Sequence, residues 1–249
     1  MEDNKIIDIH THMLYGIDDG ARDSEMSLML MGMDYDQGVR GIFCTNHSYG
    51  MEDYYKDYHR RFDKLSKVAA EKYPGLELYK GCEILCYRDE MPKIIANIKN
   101  DVYPTMNGTQ YALLEFDPHG TRGMKEMRYC LEYALEQGYI PIIAHVERYK
   151  TIYDDPLEDL IRLKELGCLV QINLYSVEQD KGLVGGGSRK ELANLFLQHQ
   201  LVDFVGTDTH RLDYKSPEAA VGAAALREKY GDEYADAVLY RNAECLLNI

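Results

Sequence analysis

Residues 138–148 read GYIPIIAHVER, and this short stretch contains a helix end, a strand and an imidazole. Gly138 follows a helical pattern, where a glycine commonly ends a helix. The apolar, β-branched run that begins at Ile140 is typical of a strand that is buried on both faces. His145 closes that run, so the sequence predicts a histidine at the C-terminal end of a buried strand.

The same order of strand and helix recurs along the chain. Seven apolar runs, 29 to 36 residues apart, begin at Lys5, Gly41, Leu76, Tyr111, Ile140, Leu169 and Asp203. Helical patterns occupy the gaps between them, at residues 24–37, 54–72, 125–137, 157–166 and 189–198. This alternation predicts parallel βαβ units. Seven strands favour a (β/α)7 barrel over an open sheet, as a single domain of residues 1–249 that two helices close from residue 217 onward.

Composition argues against several classes of partner. The chain has 249 residues and a formal net charge of −14, which disfavours binding to nucleic acid or anionic lipid. No run approaches the roughly 20 apolar residues of a membrane span, and the N-terminus lacks a signal-peptide pattern, so we expect a cytoplasmic protein. The six cysteines form no C-x-x-C pair and are predicted to be free, buried thiols.

Histidines and carboxylates follow six of the seven predicted strands. They are His10, His12, Asp19, His47, Glu83, Glu115, His145, Asp208 and His210. In a parallel barrel the C-terminal ends of all strands open on one face, so these side chains should converge. Each alone could be an ordinary core residue, but converging carboxylates repel one another unless cations lie between them. A site of histidine and carboxylate without cysteine suits Mn²⁺, Zn²⁺ or Fe²⁺, and nine donors imply two or three ions.

Two other motifs are less informative. Cys82 and Arg88 have the spacing of cysteine-dependent tyrosine phosphatases, but the segment lacks the glycines that let backbone N–H groups surround a phosphate. The glycine-rich stretch 182–187 lacks the Lys-Ser/Thr of a P-loop. Ser188 and Glu191 instead predict a capping box at the start of a helix.

The motifs IDIHTH (7–12), DDG (18–20), TNH (45–47), GCEI (81–84), LLEF (113–116), GYIPIIAHVER (138–148) and TDTH (207–210) resemble the PHP (polymerase and histidinol phosphatase) family. Within it, the chain is most similar to the manganese-dependent tyrosine-protein phosphatases of bacterial capsule and exopolysaccharide operons. The resemblance runs from about residue 6 to residue 244. It implies a distorted seven-stranded, TIM-like barrel that binds three divalent metal ions, manganese first, with iron or zinc as alternatives.

The resemblance also implies roles for individual residues. One ion would be held by His10, His12, Glu83 and Asp208, a second by Glu83, Glu115 and His145, and a third by Asp19, His47 and His210. Arg148 would bind the substrate phosphate. Relatives often have an arginine five residues after the final histidine, where this chain has Lys215, and Arg211 is a neighbouring cation that could compensate. Lysine keeps the charge but not the bidentate geometry.

The residues alone predict a phosphomonoester hydrolase in which a metal-activated hydroxide attacks phosphorus. The resemblance narrows the substrate to a phosphotyrosine protein, namely a bacterial tyrosine kinase that regulates capsule or exopolysaccharide synthesis. Three alternatives stay open: a histidinol-phosphate or other small-molecule phosphatase on the same scaffold, a hydrolase of the amidohydrolase type, and a non-enzymatic partner of a tyrosine kinase.

Overall fold

The computed structural model describes residues 5–117, 123–149, 153–179 and 189–247. The strands are β1 (Ile6–Thr11), β2 (Val39–Cys44), β3 (Glu77–Lys80), β4 (Glu83–Leu85), β5 (Tyr111–Glu115), β6 (Ile140–Ile143), β7 (Leu169–Asn173) and β8 (Phe204–Gly206). The α-helices are α1 (Ser24–Asp36), α2 (Ser48–Lys72), α3 (Met91–Lys99), α4 (Gly123–Glu136), α5 (Pro156–Glu165), α6 (Arg189–Gln198), α7 (Ala219–Tyr230) and α8 (Asp232–Leu239).

The expected alternation of strands and helices is present. The strands form one sheet in the order β1-β2-β3 and another in the order β4-β5-β6-β7-β8, and every pair within them is parallel. Ile7 and Ile9 of β1 pack with Phe43, Leu113 and other strand side chains in an inner apolar cluster. A larger outer cluster joins the strands to the helices. Both faces of the strands are therefore buried, as their continuous apolar runs predicted.

The seven-stranded barrel is not confirmed, because the described strands number eight and lie in two sheets. The predicted third strand, which begins near Leu76, is divided into β3 and β4. The hydroxyl of Tyr58 lies 2.9 Å from the carbonyl oxygen of Cys44 and 3.0 Å from that of Gly81, and it accepts a 3.1 Å hydrogen bond from the Gly81 N–H. The buried Tyr58 hydroxyl therefore satisfies backbone groups, at the point where β3 ends, that would otherwise have bonded to a neighbouring strand.

Backbone hydrogen bonds join the two sheets at two seams. At one seam, the N–H of His12 donates to the carbonyl oxygen of Thr209 (2.7 Å), and the N–H of Asp208 donates to that of His10 (2.8 Å). At the other, the Glu83 N–H donates to the carbonyl oxygen of Thr45 (3.0 Å). Both seams therefore pass between the residues that were predicted to bind metal.

The cysteines are free, as expected. Five of the six are buried, and Cys245, in a short 3₁₀ helix at residues 241–246, is exposed. Among the described residues, no helix combines the length and apolar character needed to cross a membrane. The glycine-rich stretch 182–187 and Ser188 of the predicted capping box lie outside the described residues, while α6 begins directly afterwards, at Arg189.

Candidate metal centre

All nine predicted ligands lie close together, eight of them at or beyond the C-terminal ends of strands and Glu83 at the start of β4. Three overlapping groups have donor atoms close enough to share an ion: His12, Asp19, His47 and His210; His10, His12 and Glu83; and His47, Glu83 and Glu115. The remaining two adjoin these groups, because His145 contacts Glu83 and Asp208 lies beside His10 and His12. Most of the nine are buried, whereas the Asp19 side chain is half exposed.

Glu83, at the start of β4, is the centre of this arrangement. Its buried Oε2 lies 3.2 Å from Nε2 of His10, 3.2 Å from Nε2 of His12 and 3.0 Å from Nδ1 of His47, yet it takes part in no hydrogen bond. Its Oε1 lies 2.8 Å from Nε2 of His145. A buried carboxylate oxygen without a hydrogen bond is costly, and imidazole nitrogens directed at it from several sides fit the ligand shell of a cation.

A more exposed group borders this centre. Nε2 of His47 and Nε2 of His210 lie 3.8 and 3.7 Å from Oδ1 of Asp19. The imidazole of His12 stacks on that of His210, with 3.9 Å between ring centroids. The structure thus groups His12 with the three residues of the third ion as well as with His10 and Glu83, which is a wider association than the resemblance implies.

Asp208 lies among cationic side chains. Its Oδ2 is 2.6 Å from Nζ of Lys215 and 3.7 Å from Nη1 of Arg148. Burial would raise the pKa of the Asp208 carboxyl, but the charge of Lys215, and then the neighbouring histidines, hold it well below its usual range. The buried Nε of Arg148 makes no hydrogen bond. Arg148 and Lys215 therefore both reach the centre, and Arg148 has an N–H group there that is free to donate a hydrogen bond.

Arg211 is placed differently from Arg148 and Lys215. Its Nη1 donates to the main-chain oxygen of Asp19 at 3.0 Å, and its Nε donates to Asp213 at 3.2 Å. It therefore lies at the edge of the centre and supports the loop that carries Asp19. Its expected role in binding phosphate stays a prediction.

The backbone is strained at three positions of the centre. His145, Asp208 and Lys215 have φ values of 33°, 55° and 50°, in the left-handed region that non-glycine residues seldom adopt. Each such residue costs about 1–3 kcal/mol, and such residues are concentrated at functional sites. These backbone conformations direct the imidazole of His145, the carboxylate of Asp208 and the ammonium group of Lys215 into the same region.

Asp18 is a functional residue that sequence reasoning did not assign. Its carboxylate lies 2.8 Å from Nδ1 of His12 and accepts hydrogen bonds from the N–H of His47 (2.8 Å), Nδ2 of Asn46 (2.8 Å) and the N–H of Gly20 (3.0 Å). Burial lowers the pKa of His12, but Asp18 more than offsets this and holds it above its ordinary value. Asp18 thus orients His12 with Nε2 toward Glu83. The DDG motif drew attention to both aspartates, but the sequence did not indicate that Asp18 would orient a histidine.

Gln171 in β7 was missed because it is not a metal-ligand type. Its Oε1 accepts from the main-chain N–H of His145 at 2.7 Å and lies 3.2 Å from Nδ1 of His10. Asn173, two residues later, donates to Oδ2 of Asp208 at 3.0 Å. These two amides are buried in β7, the one predicted strand without a ligand at its end. An amide side chain within an apolar strand could have indicated such a role, because a buried polar side chain needs hydrogen-bond partners.

Comparison with known proteins places the chain in a family. The family model described as capsular polysaccharide synthesis, CpsB/CapC, matches residues 6–248. The tyrosine-protein phosphatase CpsB of Streptococcus pneumoniae is 33% identical over 242 residues, covering 95% of this chain and 96% of that protein. The tyrosine-protein phosphatase YwqE of Bacillus subtilis (strain 168) is 30% identical over 248 residues, covering 97% of this chain and 91% of that protein.

Solved structures agree with the sequence comparison. A chain from the crystal structures of YwqE from Bacillus subtilis and CpsB from Streptococcus pneumoniae, described as unique metal-dependent tyrosine phosphatases, matches with a TM-score of 0.79 and 28% identity. The match covers 97% of this chain and 94% of that one. A Listeria monocytogenes lactonase matches with a TM-score of 0.59 at 9% identity, a likeness of fold alone. The resemblance seen in the motifs is confirmed, and the chain belongs to the CpsB/CapC family of capsular polysaccharide synthesis.

Proposed function

We propose that this protein is a metal-dependent phosphomonoester hydrolase that acts on phosphotyrosine in proteins. The observation that carries the proposal is the buried Glu83 carboxylate, whose Oε2 faces three imidazole nitrogens within 3.2 Å without forming a hydrogen bond. Family members that are named tyrosine-protein phosphatases, one of them with a structure described as metal-dependent, support this assignment.

Three divalent ions, of manganese or alternatively iron or zinc, are the proposed cofactors. His10, His12, Glu83 and Asp208 would hold one; Glu83, Glu115 and His145 the second; Asp19, His47 and His210 the third. When bound, such ions lower the pKa of a coordinated water to about 7 and offset charge on phosphoryl oxygens. The donor set of nitrogen and carboxylate oxygen without thiolate is the set these metals share.

The chain's own cations have a separate task in this proposal. Arg148 and Lys215 bind the phosphoryl oxygens, and Arg211 lies at the edge, where it holds the Asp19 loop. Arg148 can direct several fixed N–H groups at a phosphate, whereas Lys215 provides one charge that is now paired with Asp208. A phenol has a pKa of about 10, so phenolate leaves without strong help from a general acid.

The proposed substrate is a bacterial tyrosine kinase that controls capsule or exopolysaccharide synthesis. Single-domain organisation over residues 1–249 is part of the proposal, as is a cytoplasmic location. The family's described role in capsular polysaccharide synthesis supports the substrate, and the free thiols are consistent with a reducing compartment.

The test replaces one candidate ligand and one histidine outside the centre. His47→Ala should lower turnover of a phosphotyrosine peptide more than about 100-fold, beyond the loss expected for a residue that only orients a ligand. His199→Ala, in the exposed turn that follows α6, should retain wild-type turnover. Bound metal is measured in both variants. Equal activity of the two variants would contradict the proposal, and so would a strong preference of the wild type for histidinol phosphate over the peptide.

A further inference from the structure

Two exposed tyrosines adjoin the candidate metal centre. Of the seven large apolar side chains exposed among the described residues, Tyr49, Leu212 and Tyr214 are close in sequence to its ligands His47 and His210. Exposed aromatic side chains next to a polar site are characteristic of surfaces that bind partly apolar groups. These tyrosines are absent from the ligand and phosphate-binding sets described above.

Tyr49 packs on His47 in the first turn of α2. The two rings are stacked, with centroids 5.0 Å apart and an interplanar angle of 24°, and the Tyr49 side chain is 53% exposed. Its hydroxyl donates to Oδ1 of Asp19 at 3.1 Å. One face of the ring is covered by His47, and much of the remainder is accessible.

Tyr214 is presented by a tight turn after β8. The N–H of Arg211 donates to the carbonyl oxygen of Tyr214 at 2.9 Å, and the reciprocal bond is 3.2 Å, so a two-residue loop separates them. The Tyr214 ring meets His210 edge to face, with centroids 5.6 Å apart, and is 48% exposed. Arg211 and Lys215 each lie 5.6 Å from the ring centroid. The turn therefore fixes an aromatic ring directly beside a predicted phosphate-binding lysine.

We propose that Tyr49 and Tyr214 form an aromatic rim that binds the phenyl ring of the substrate while the metal centre and Lys215 receive its phosphate. The inference rests on the proposed function and extends it, because it names the residues that select an aryl ester over an alkyl ester. Both tyrosines contact histidines of the same four-residue group, His12, Asp19, His47 and His210. A phosphate at that group would carry its ester substituent outward, past the two rings.

The rim makes a distinction that cations alone cannot make. Arg148 and Lys215 attract any phosphate, whatever is esterified to it, since their contacts are with oxygen atoms. A pair of aromatic rings in an offset or edge-to-face arrangement is worth about 0.5–1.5 kcal/mol beyond burial, or roughly two- to tenfold in affinity. Two such contacts give a useful preference for phosphotyrosine without adding charge to an already crowded centre.

The test separates ring binding from phosphate binding. Tyr49→Ala, Tyr214→Ala, Tyr49→Phe and Tyr214→Phe are compared with Tyr54→Ala, a control tyrosine that is 46% exposed on the same helix as Tyr49. For each protein, loaded with Mn²⁺, the apparent KM for a phosphotyrosine peptide and the inhibition constant of inorganic phosphate are measured. Inorganic phosphate has no ring and reports on the metal and cation contacts only.

The alanine variants at positions 49 and 214 should raise KM about three- to tenfold while the phosphate inhibition constant changes less than twofold. Tyr54→Ala, which lies outside the rim, should stay near wild type. The phenylalanine variants keep both rings and should therefore raise KM less than the alanine variants do, although Tyr49→Phe also loses the hydrogen bond to Asp19. An unchanged KM in both alanine variants would overturn the inference. A parallel rise in KM and in the phosphate constant would also overturn it and would assign the tyrosines to support of Asp19. Wild-type protein that does not hydrolyse phosphotyrosine would instead reject the proposed function itself.

Discussion

Asp18 determines how two candidate ligands are held. Its carboxylate is hydrogen-bonded to Nδ1 of His12 and also accepts hydrogen bonds from the main-chain N–H of His47 and the side-chain amide of Asn46. In Asp18→Asn, the new amide N–H groups would face donors that now point at a carboxylate. We expect metal affinity to fall about 10- to 100-fold, as is typical when a partner that orients a ligand is lost.

Competition with a chelator measures this change in metal affinity. Asp213→Asn is the matched control, because it removes an exposed aspartate that forms ion pairs with Arg211 of the same turn and with Arg22 before α1. Equal affinities of the Asp18 and Asp213 variants would show that the hydrogen bonds of Asp18 do not orient His12.

Lys215 gives a second prediction about a single side chain. Its Nζ is 2.6 Å from Oδ2 of Asp208. Lys215→Arg keeps the charge, so turnover of a phosphotyrosine peptide should stay within about tenfold of wild type, whereas Lys215→Met should lose more, because Asp208 would then be buried without its closest cation. A loss above tenfold in the arginine variant would show that the position is built for a lysine contact and does not act as a general phosphate-binding cation.

The sequence predicted which histidines and carboxylates would come together, but it did not predict the residues that hydrogen-bond to them. The convergence of histidines and carboxylates followed from their positions after strands, since the ends of parallel strands meet on one face. The hydrogen bonds made by Asp18, Gln171 and Asn173 could not be predicted from a periodic pattern, because they join residues that are distant in sequence. Strained residues such as Lys215 were equally invisible, since nothing in its local sequence requires a positive φ.

Gly206 shows how closely two strands approach beside the centre. A Cβ atom at this position would lie 2.5 Å from the Cβ of His10 and 3.1 Å from its main-chain nitrogen. Gly206→Ala must therefore move β8 away from β1, and overpacking of this kind costs about 1–3 kcal/mol of unfolding free energy. Since His10 lies at the contact, metal affinity should fall as well.

Gly41→Ala is the comparison for Gly206→Ala. Gly41 lies in β2, where an added Cβ would meet side-chain atoms of Ile7 and Tyr79 at 3.2 Å. These side chains can shift, so the cost should be smaller and metal affinity should be retained. Urea denaturation and metal titration of both variants test the point. A Gly206→Ala protein with normal metal affinity would argue against the close approach.

Helix α1 contributes a pH dependence through Asp34. Its carboxyl is fully buried, and neither oxygen has a hydrogen-bond partner within the described residues. Burial, followed by the nearby Asp8, raises the pKa of Asp34 well above its ordinary value. Because the folded-state pKa lies above the unfolded value of 3.8, the neutral carboxyl contributes its full share of the unfolding free energy below that pH. This contribution is lost as the pH rises from there through the folded pKa.

We therefore expect Asp34→Asn to change the pH profile of stability. The free energy of unfolding of the variant, relative to wild type, should increase as pH rises from about 4, by up to about 1.4 kcal/mol per pH unit until the folded pKa is passed. Urea denaturation in the presence of a chelator, at several pH values, measures the difference. Parallel profiles for the two proteins would show that Asp34 does not titrate in this way.

The helices and strands themselves were largely predictable, because apolar runs and glycine helix ends are local signals. The division between β3 and β4 was not, since it depends on the Tyr58 hydroxyl reaching Gly81 from α2. A tyrosine at helical spacing looks the same in sequence whether it packs as a ring or interrupts a sheet with its hydroxyl.

For the molecule as a whole, the candidate metal centre lies between two sheets that are joined by few backbone hydrogen bonds. His10, His12 and His47 lie in or just after strands of one sheet, while Glu83, Glu115 and His145 lie in or just after strands of the other. Ions shared between these groups would bind the folded state selectively and stabilise it by mass action. Removal of metal with a chelator should lower the melting temperature, and added Mn²⁺ should restore it.

The expected gain is about 2.7 kcal/mol when free metal exceeds its dissociation constant 100-fold. Differential scanning calorimetry at two Mn²⁺ concentrations measures the shift, with His47→Ala as the control that should respond less. A melting temperature independent of metal in the wild type would indicate that the ions do not link the sheets.

The distribution of thiols has a practical consequence. Cys245 is the one exposed cysteine of the six, and it lies by Tyr111, at the end of β5 opposite Glu115. A maleimide reagent should therefore label the native protein once, on the side opposite the candidate metal centre. Protein tethered to a sensor surface through that sulfur would present its opening to solution, ready for capture of phosphorylated peptides.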